Sequence, residues 1–196
     1  MNKHTDRNHH SQGTGRGPSS FWMHDSNVVF DALALKPGDA FLDLGCGPGD
    51  YAMAAARIVG PSGTVLAFDK WPYLIDGLKD EAASLGIDNI QALGGDITQA
   101  LPIADHCIDC CMLATVLHIF GLPIARKTLF REVQRILKPS GRLAIIESKK
   151  EDQPFGPPLE ARISPGELEA SLHLLGYRKI NYREFEYTYL IQFDVT

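Results

Sequence analysis

Leu42-Asp43-Leu44-Gly45-Cys46-Gly47-Pro48-Gly49-Asp50 joins an apolar run, Ala40-Phe41-Leu42, to an alanine-rich one, Tyr51-Ala52-Met53-Ala54-Ala55-Ala56-Arg57-Ile58-Val59. The first run has the character of a short buried strand and the second the composition of a helix. The glycines therefore occupy a strand-to-helix turn, where the missing Cβ lets backbone approach a ligand closely. The helix N-terminus beside them offers free N–H groups and a positive dipole end, which suit a carboxylate or phosphate. A dinucleotide fingerprint, G-x-G-x-x-G, would need glycine where Asp50 stands. The actual spacing is Gly45-x-Gly47-x-Gly49, which argues against a nicotinamide oxidoreductase.

On both sides of this turn, strands and helices alternate. Thr64 to Phe68 reads as a strand ending in Asp69, and Leu74, Leu78, Ala82 and Leu85 trace a helical stripe closed by Gly86. Asn89–Leu93 is a third strand, leading into Gly94-Gly95-Asp96-Ile97, and Cys107–Leu113 a fourth. Ala125, Leu129, Val133, Ile136 and Leu137 make a strong helical stripe, stopped by the breaker Lys138-Pro139-Ser140-Gly141 before a fifth strand, Arg142–Glu147. Ser164-Pro165-Gly166-Glu167 is a capping box with proline at the first helical position. Upstream of the glycine turn, Asp25–Leu35 fits a short helix, and Phe21-Trp22-Met23 is either a packing staple or the lid of a pocket. Such alternation implies a parallel sheet covered on both faces. The last two runs, Tyr177–Phe185 and Tyr187–Val195, are joined too tightly for a parallel crossover and form an antiparallel hairpin. The expected fold is thus α/β and Rossmann-like: a seven-stranded, mostly parallel sheet with a C-terminal antiparallel hairpin. Residues 21–196 are expected to form one domain behind a polar, histidine-bearing tail, 1–20, that includes His4, His9 and His10.

The chain of 196 residues carries a net charge of −5, so no global basic field draws it to nucleic acid or an anionic membrane, and no apolar run is long enough to span a bilayer. Its four cysteines are Cys46, Cys107, Cys110 and Cys111. On a strand, Cys110 faces away from the other two of its group, and Cys107 and Cys111 lie about 13 Å apart. They can neither bridge nor share a metal. Core thiols in a reducing cytoplasm, with no metal, are the expectation.

From about Val28 to Phe193 the chain resembles the class I S-adenosylmethionine-dependent methyltransferases. The spaced glycines after Asp43 resemble motif I of that family, Leu66-Ala67-Phe68-Asp69 motif II, and Gly94-Gly95-Asp96-Ile97 motif III. Leu101-Pro102 and the stretch from Phe130 to Leu143 look like the ubiquinone/menaquinone-biosynthesis and arsenite methyltransferase groups. The resemblance implies S-adenosylmethionine as cofactor, with S-adenosylhomocysteine as product. It also implies roles. Gly45, Cys46, Gly47 and Gly49 would bring backbone to the methionine and ribose parts. Asp43 would anchor the glycine loop or the cofactor's amino group, and Asp69 would accept both ribose hydroxyls. Lys70 and Trp71 would flank the adenine, Asp96 and Ile97 would meet its edge, and Leu113 and Ala114 would border the sulfonium. The chain departs from the adenine- and glutamine-amino methyltransferases, reading Leu113-Ala114-Thr115-Val116 where they carry an Asn/Asp-Pro-Pro-aromatic tetrapeptide. Core cysteines count against arsenite.

The near-minimal size and negative charge favour a small-molecule acceptor. A protein or RNA acceptor would call for a basic cleft built from Lys149, Lys150, Arg162 and Arg178, and a non-catalytic cofactor-binding protein for a collapsed acceptor cavity. His118 follows strand 4, near the expected methyl position, and serves either as a catalytic base or as pocket wall. Asp69, as a strand-end carboxylate, is expected to matter for the cofactor and little for stability. The sequence leaves the acceptor and the oligomeric state open.

Overall fold

The computed structural model describes residues 19–120 and 123–195. The expected tail up to residue 18, with His4, His9 and His10, lies outside them. Ser19 and Ser20 already belong to the folded part: Ser19 caps a 3-10 helix, Ser20–Met23, and Ser20 is buried.

Seven strands form one sheet in the order β3-β2-β1-β4-β5-β7-β6. They are β1 (Ala40–Leu44), β2 (Thr64–Asp69), β3 (Ile90–Gly94), β4 (Ile108–Ala114), β5 (Leu137–Ser148), β6 (Tyr177–Glu184) and β7 (Thr188–Val195). The first five are mutually parallel, and β7 runs antiparallel to both β5 and β6. Strand order reverses between β1 and β4, which opens a crevice at their carboxyl ends, where open α/β sheets take ligands.

Side chains alternate across the strands and feed two cores. On one face, α1 (Ser26–Leu33), α2 (Asp50–Val59) and α3 (Pro72–Ser84) pack Val29, Leu33, Ala55, Val59, Ile75 and Leu78 against Phe41, Val65, Cys110, Met112 and Ile146. On the other, α4 (Pro123–Ile136) and α5 (Pro165–His173) pack Leu129, Phe130, Val133, Leu168 and Leu172 against Leu42, Cys111, Leu113, Leu143 and Ile145. The alanines of α2 let that helix sit close to β1 and β2. The capping box opens α5 as its sequence dictates, with Ser164 Oγ accepting from Glu167 N and the Glu167 carboxylate accepting from Ser164 N.

One boundary differs from the sequence reading. Lys138-Pro139-Ser140-Gly141 does not stand between helix and strand: α4 ends at Ile136 and β5 begins at Leu137. The four residues form an irregularity within β5, whose register against β4 jumps between Ile108↔Leu137 and Cys110↔Arg142. Proline and glycine punctuate the chain locally, but pairing of the flanking residues with β4 absorbs the break as a bulge.

Candidate active site

The glycine turn leaves β1 and is tied to β2 before it reaches α2. Gly45 and Cys46 both donate their N–H to Phe68 O, at 2.7 and 3.0 Å, and Gly47 donates its N–H to Asp69 Oδ2 at 2.9 Å. Two of the glycines answer to neighbouring side chains. A Cβ on Gly45 (φ +82°) would stand 2.6 Å from Val116 Cγ2, and one on Gly49 (φ +86°) 2.5 Å from Leu78 Cδ1. Both positive φ values and both close approaches demand glycine. Gly49 is thereby the N-cap of α2, packed on α3.

A cavity of about 610 Å³ opens over the carboxyl ends of β1, β2 and β3, a size typical of small-molecule sites. Gly45, Gly47, Asp69, Lys70, Trp71, Asp96 and Ile97 line it, as do Tyr73, Thr98, Thr115, Val116 and Phe120. Asp69 is mostly buried, its Oδ1 accepting from Trp71 N at 3.0 Å and its Oδ2 from Gly47 N. The carboxylate is thus fixed in orientation, with lone pairs left on each oxygen for further donors. Asp96 Oδ1 accepts from Thr98 N and Thr98 Oγ1 at 2.9 and 2.8 Å, and these bonds hold its carboxyl below the usual range. Trp71 and Tyr73 form an exposed aromatic wall, ring centroids 6.2 Å apart, with Lys70 Nζ 4.9 Å above the indole.

A smaller cavity of about 100 Å³ adjoins the first, sharing Gly45, Gly47 and Thr115 with it. Asp43, Cys46, Ala114, Tyr51 and Ser20 complete much of its wall. Asp43 is 1% exposed, and its Oδ2 has no hydrogen-bond partner among the described residues. Burial pushes its carboxyl up to about 7, against an N–H bond from Ala52 that pulls it down; the negative charges of Asp69 and Asp50 add to the rise. A buried carboxylate oxygen without a partner is costly to the fold. The N-terminal segment roofs this end. Phe21 packs edge-on to Tyr51 at 5.0 Å, His24 Nε2 lies 2.7 Å from Tyr51 Oη, and the His24 ring stacks on Phe185 at 4.7 Å. Phe21 is therefore the packing member of its pair, and Trp22 stands 75% exposed.

Leu113 does not meet the cavities. It is fully buried and points into the α4–α5 core, because β4 alternates and the neighbouring Ala114 takes the site-facing position. Beyond Ala114, Thr115 reaches both cavities together with Gly45 and Gly47; it is a non-glycine held at φ +53° after β4, its N–H donated to Ile146 O. A left-handed threonine is strained. The turn it makes throws the 3-10 helix Leu117–Ile119 alongside the site. Nothing in a single sequence signals that conformation. His118 stands on this helix, partly exposed, and does not line either cavity. It faces the buried Glu147 instead, Nδ1 to Oε2 at 3.5 Å. Gly121 and Leu122 lie outside the described residues.

A second hollow of about 590 Å³ lies at the opposite ends of β2 and β3. The amide of Asn89, on its wall, is consumed by Ala56 O and Gly60 O.

The four basic side chains that a macromolecular cleft would need are engaged. Lys149 pairs with Glu184 and Lys150 with Glu167, each at 2.6 Å; Arg178 pairs with Asp194. Arg162 is buried and donates to the carbonyls of Lys149, Glu151, Phe155 and Pro157.

Comparison with known proteins gives a consistent picture. A family model described as a methyltransferase domain matches residues 35–178. The 2-phytyl-1,4-naphtoquinone methyltransferase of Synechococcus elongatus is 35% identical over 141 residues, 70% of this chain and 58% of that protein. The arsenite methyltransferase of Halobacterium salinarum is 32% identical over 114 residues, 58% of this chain and 28% of that protein. The chain thus spans less than two thirds of either curated relative. The crystal structure of a SAM dependent methyltransferase from Aquifex aeolicus superposes with a TM-score of 0.82 at 28% identity, covering 92% of this chain and 95% of that one.

Proposed function

This chain belongs to the methyltransferase domain family, and we propose that it transfers the methyl group of S-adenosylmethionine to a small-molecule acceptor. The observation that carries the reading is the convergence of Gly45, Gly47, Asp69, Asp96 and Ile97, from three different strand ends, on one cavity. The residues fit that cofactor. Asp69 would accept the ribose hydroxyls, acceptor-only chemistry suiting a diol. Asp96 and Ile97 would take the adenine edge, with Trp71 and Lys70 against its face. Asp43, with its orphaned oxygen, would hold the ammonium in the smaller cavity, beside Cys46 and Ala114. Thr115, common to both cavities, would stand nearest the sulfonium.

The cofactor supplies an electrophilic methyl group, and the protein's task is to align an acceptor with it and exclude water, worth about 7–11 kcal/mol in favourable cases. An acceptor that must lose a proton needs a base; His118 is the candidate on the 3-10 helix whose Ile119 lines the larger cavity, but its own side chain lines neither cavity and would have to turn toward the site.

Two narrower readings are disfavoured. The arsenite relative invites a thiol-bound metalloid, but Cys110 and Cys111 are fully buried, and burial drives the Cys110 thiol up to about 12; Cys107 departs from the expected core position, half-buried just before β4, and has no second accessible thiol of its group beside it. A protein or RNA acceptor needs the four basic groups that are already engaged. A cytoplasmic location is supported by four unpaired cysteines. No helix among the described residues is long and apolar enough to cross a membrane.

Calorimetric titration with S-adenosylmethionine and with NADH tests the cofactor. Binding of the first and not the second is expected, and the reverse would overturn the reading. Incubating a metabolite extract with methyl-labelled cofactor tests transfer: label in a small molecule supports the assignment, while cofactor binding with no transfer favours a non-catalytic binding protein.

A further inference from the structure

We propose that residues 19–24 are a strap that shuts the smaller cavity over the amino-acid end of the bound cofactor, with His24 as the latch that ties it to α2 and to the β6–β7 hairpin. The inference rests on the methyltransferase reading of the site and adds to it a closing element that none of the motifs contains.

Side chains alone attach the strap. Among the described residues, no backbone hydrogen bond joins residues 19–24 to the sheet or to α2. Their contacts converge on Tyr51, which is 4% exposed in the first turn of α2 and lines the cavity. The Phe21 ring packs edge-on against the Tyr51 ring. The Ser20 hydroxyl and His24 Nε2 both bond to its oxygen, the latter at 2.7 Å. Ser19 and Ser20 belong to the same cavity wall as Asp43, so the strap is itself part of the enclosure. His24 adds a second attachment. Its ring stacks on Phe185 at 4.7 Å, with 22° between the planes, and its Nδ1 lies 3.4 Å from Thr188 Oγ1. Phe185 follows β6 and Thr188 opens β7. One imidazole thus joins the N-terminal segment to both α2 and the C-terminal hairpin.

The latch depends on the charge of the ring. A buried phenol needs an acceptor, and Nε2 supplies one while the imidazole is neutral. Burial lowers the His24 pKa from the ordinary 6.5. Among the described residues, Tyr51 is the titratable side chain in contact with it, and burial pushes that phenol up, so it stays neutral. Phe185 and Thr188 do not titrate. The acids close to the contact in sequence are engaged elsewhere: Asp25 accepts from Asn27 N, Glu184 pairs with Lys149, and Glu186 bonds to Tyr187. A positive charge on His24 is therefore better hydrated with the strap open. The closed strap is fully favoured above about pH 6.5 and loses ground as pH falls below it.

Trp22→Phe first removes the strap's own exposed indole. The fluorescence of Trp71, on the wall of the larger cavity, then reports S-adenosylhomocysteine. In that background, stopped-flow at about pH 8 should show His24→Ala raising both the association and the dissociation rate about 5- to 30-fold, the factor set by one or two hydrogen bonds. Lowering the pH to about 5.5 should speed dissociation from the protein that keeps His24 and leave H24A unchanged. NMR should show a contact between the Phe21 and Tyr51 rings at about pH 8 that weakens in H24A. Equal rates with and without His24, or one pH profile for both, would overturn the proposal. Should H24A fail to fold, Tyr51→Phe takes its place with the same expected rates, since it keeps the ring and removes the oxygen that Ser20 and His24 reach. Failure of the native protein to bind S-adenosylhomocysteine would strike instead at the methyltransferase reading, and the ring-to-ring contact with and without His24 would still decide the latch.

Discussion

Asp69 Oδ2 accepts the N–H of Gly47 at 2.9 Å while Oδ1 accepts that of Trp71 at 3.0 Å. One side chain at the end of β2 thus holds the glycine loop on one side and the entry to α3 on the other. The sequence suggests a strand-end carboxylate of little structural weight, and the geometry corrects that: the same group that would bind ribose also builds the loop that receives it.

Asp69→Ala should therefore lower both cofactor affinity and the ligand-free melting temperature. Each bond to a charged acceptor is worth about 1.5–3 kcal/mol, partly recovered by water. At roughly 2–4 °C per kcal/mol for a chain of this size, a drop of about 4–10 °C is expected, with affinity weakened about 30- to 1000-fold. Asp69→Asn, which keeps one acceptor oxygen, should fall between. Thermal melts and calorimetry check both; an unmoved melting temperature would show that the loop holds without the carboxylate.

The fold and the lining of the larger cavity were legible because their determinants are local. Glycine, proline and strand-end acids announce turns by their own chemistry, and period-2 and period-3.6 patterns announce the elements. What could not be read depends on pairing across the sheet. Glu147 faces His118 only because β5 sits beside β4 in a given register. Arg178 is neutralised because the β6–β7 hairpin sets it opposite Asp194. Of Leu113 and Ala114, both expected beside the sulfonium, Ala114 lines the small cavity and Leu113 faces the α4–α5 core, because a buried strand end is apolar on both faces and alternation alone does not say which face is which.

Gly45→Ala should weaken cofactor binding through two separable terms. The positive φ costs about 1–2 kcal/mol, and the new methyl would meet Val116 Cγ2 at 2.6 Å. Adding Val116→Ala removes the second term alone. The double variant should bind S-adenosylmethionine more tightly than Gly45→Ala does, by about 3- to 30-fold. Additive losses in a calorimetric double-mutant cycle would exclude the contact.

Arg162 holds four backbone carbonyls of the 149–157 segment with one guanidinium. Arg162→Met should leave those carbonyls unpaired and cost on the order of 2–4 kcal/mol. Hydrogen exchange should accelerate in residues 149–162 while α2 and β1 keep their protection. Uniform loss of protection would mean that the segment is integral to global stability.

The paired basic groups make a testable statement about partners. Fluorescence anisotropy with a labelled single-stranded RNA should show no micromolar binding at 0.15 M salt, since little net positive charge remains for phosphates. Binding at that strength with a steep salt dependence would restore the macromolecular acceptor.

Asp43 sets stability against function. Burial raises its folded-state pKa to about 7 from an ordinary 3.8. Between these values the unfolded chain is ionised at this position while the folded one holds the proton. Its favourable contribution is therefore fully present below the unfolded value and is lost as pH rises through about 7. At pH 8 the folded protein carries a buried, half-partnered carboxylate and bears the whole penalty. Asp43→Asn cannot ionise, so its ligand-free melting temperature should exceed that of the native protein at pH 8, and the difference should shrink steadily toward pH 5. The same substitution removes the charge that would face the cofactor's ammonium. Affinity for S-adenosylmethionine should then fall at pH 8, about 10-fold or more for the loss of a charge-assisted bond. A variant that is both more stable and a weaker binder identifies Asp43 as a ligand group kept at a cost to the fold. Should the variant instead be less stable at pH 8 and bind as before, the carboxylate serves the glycine loop, and the ammonium must be held by another group.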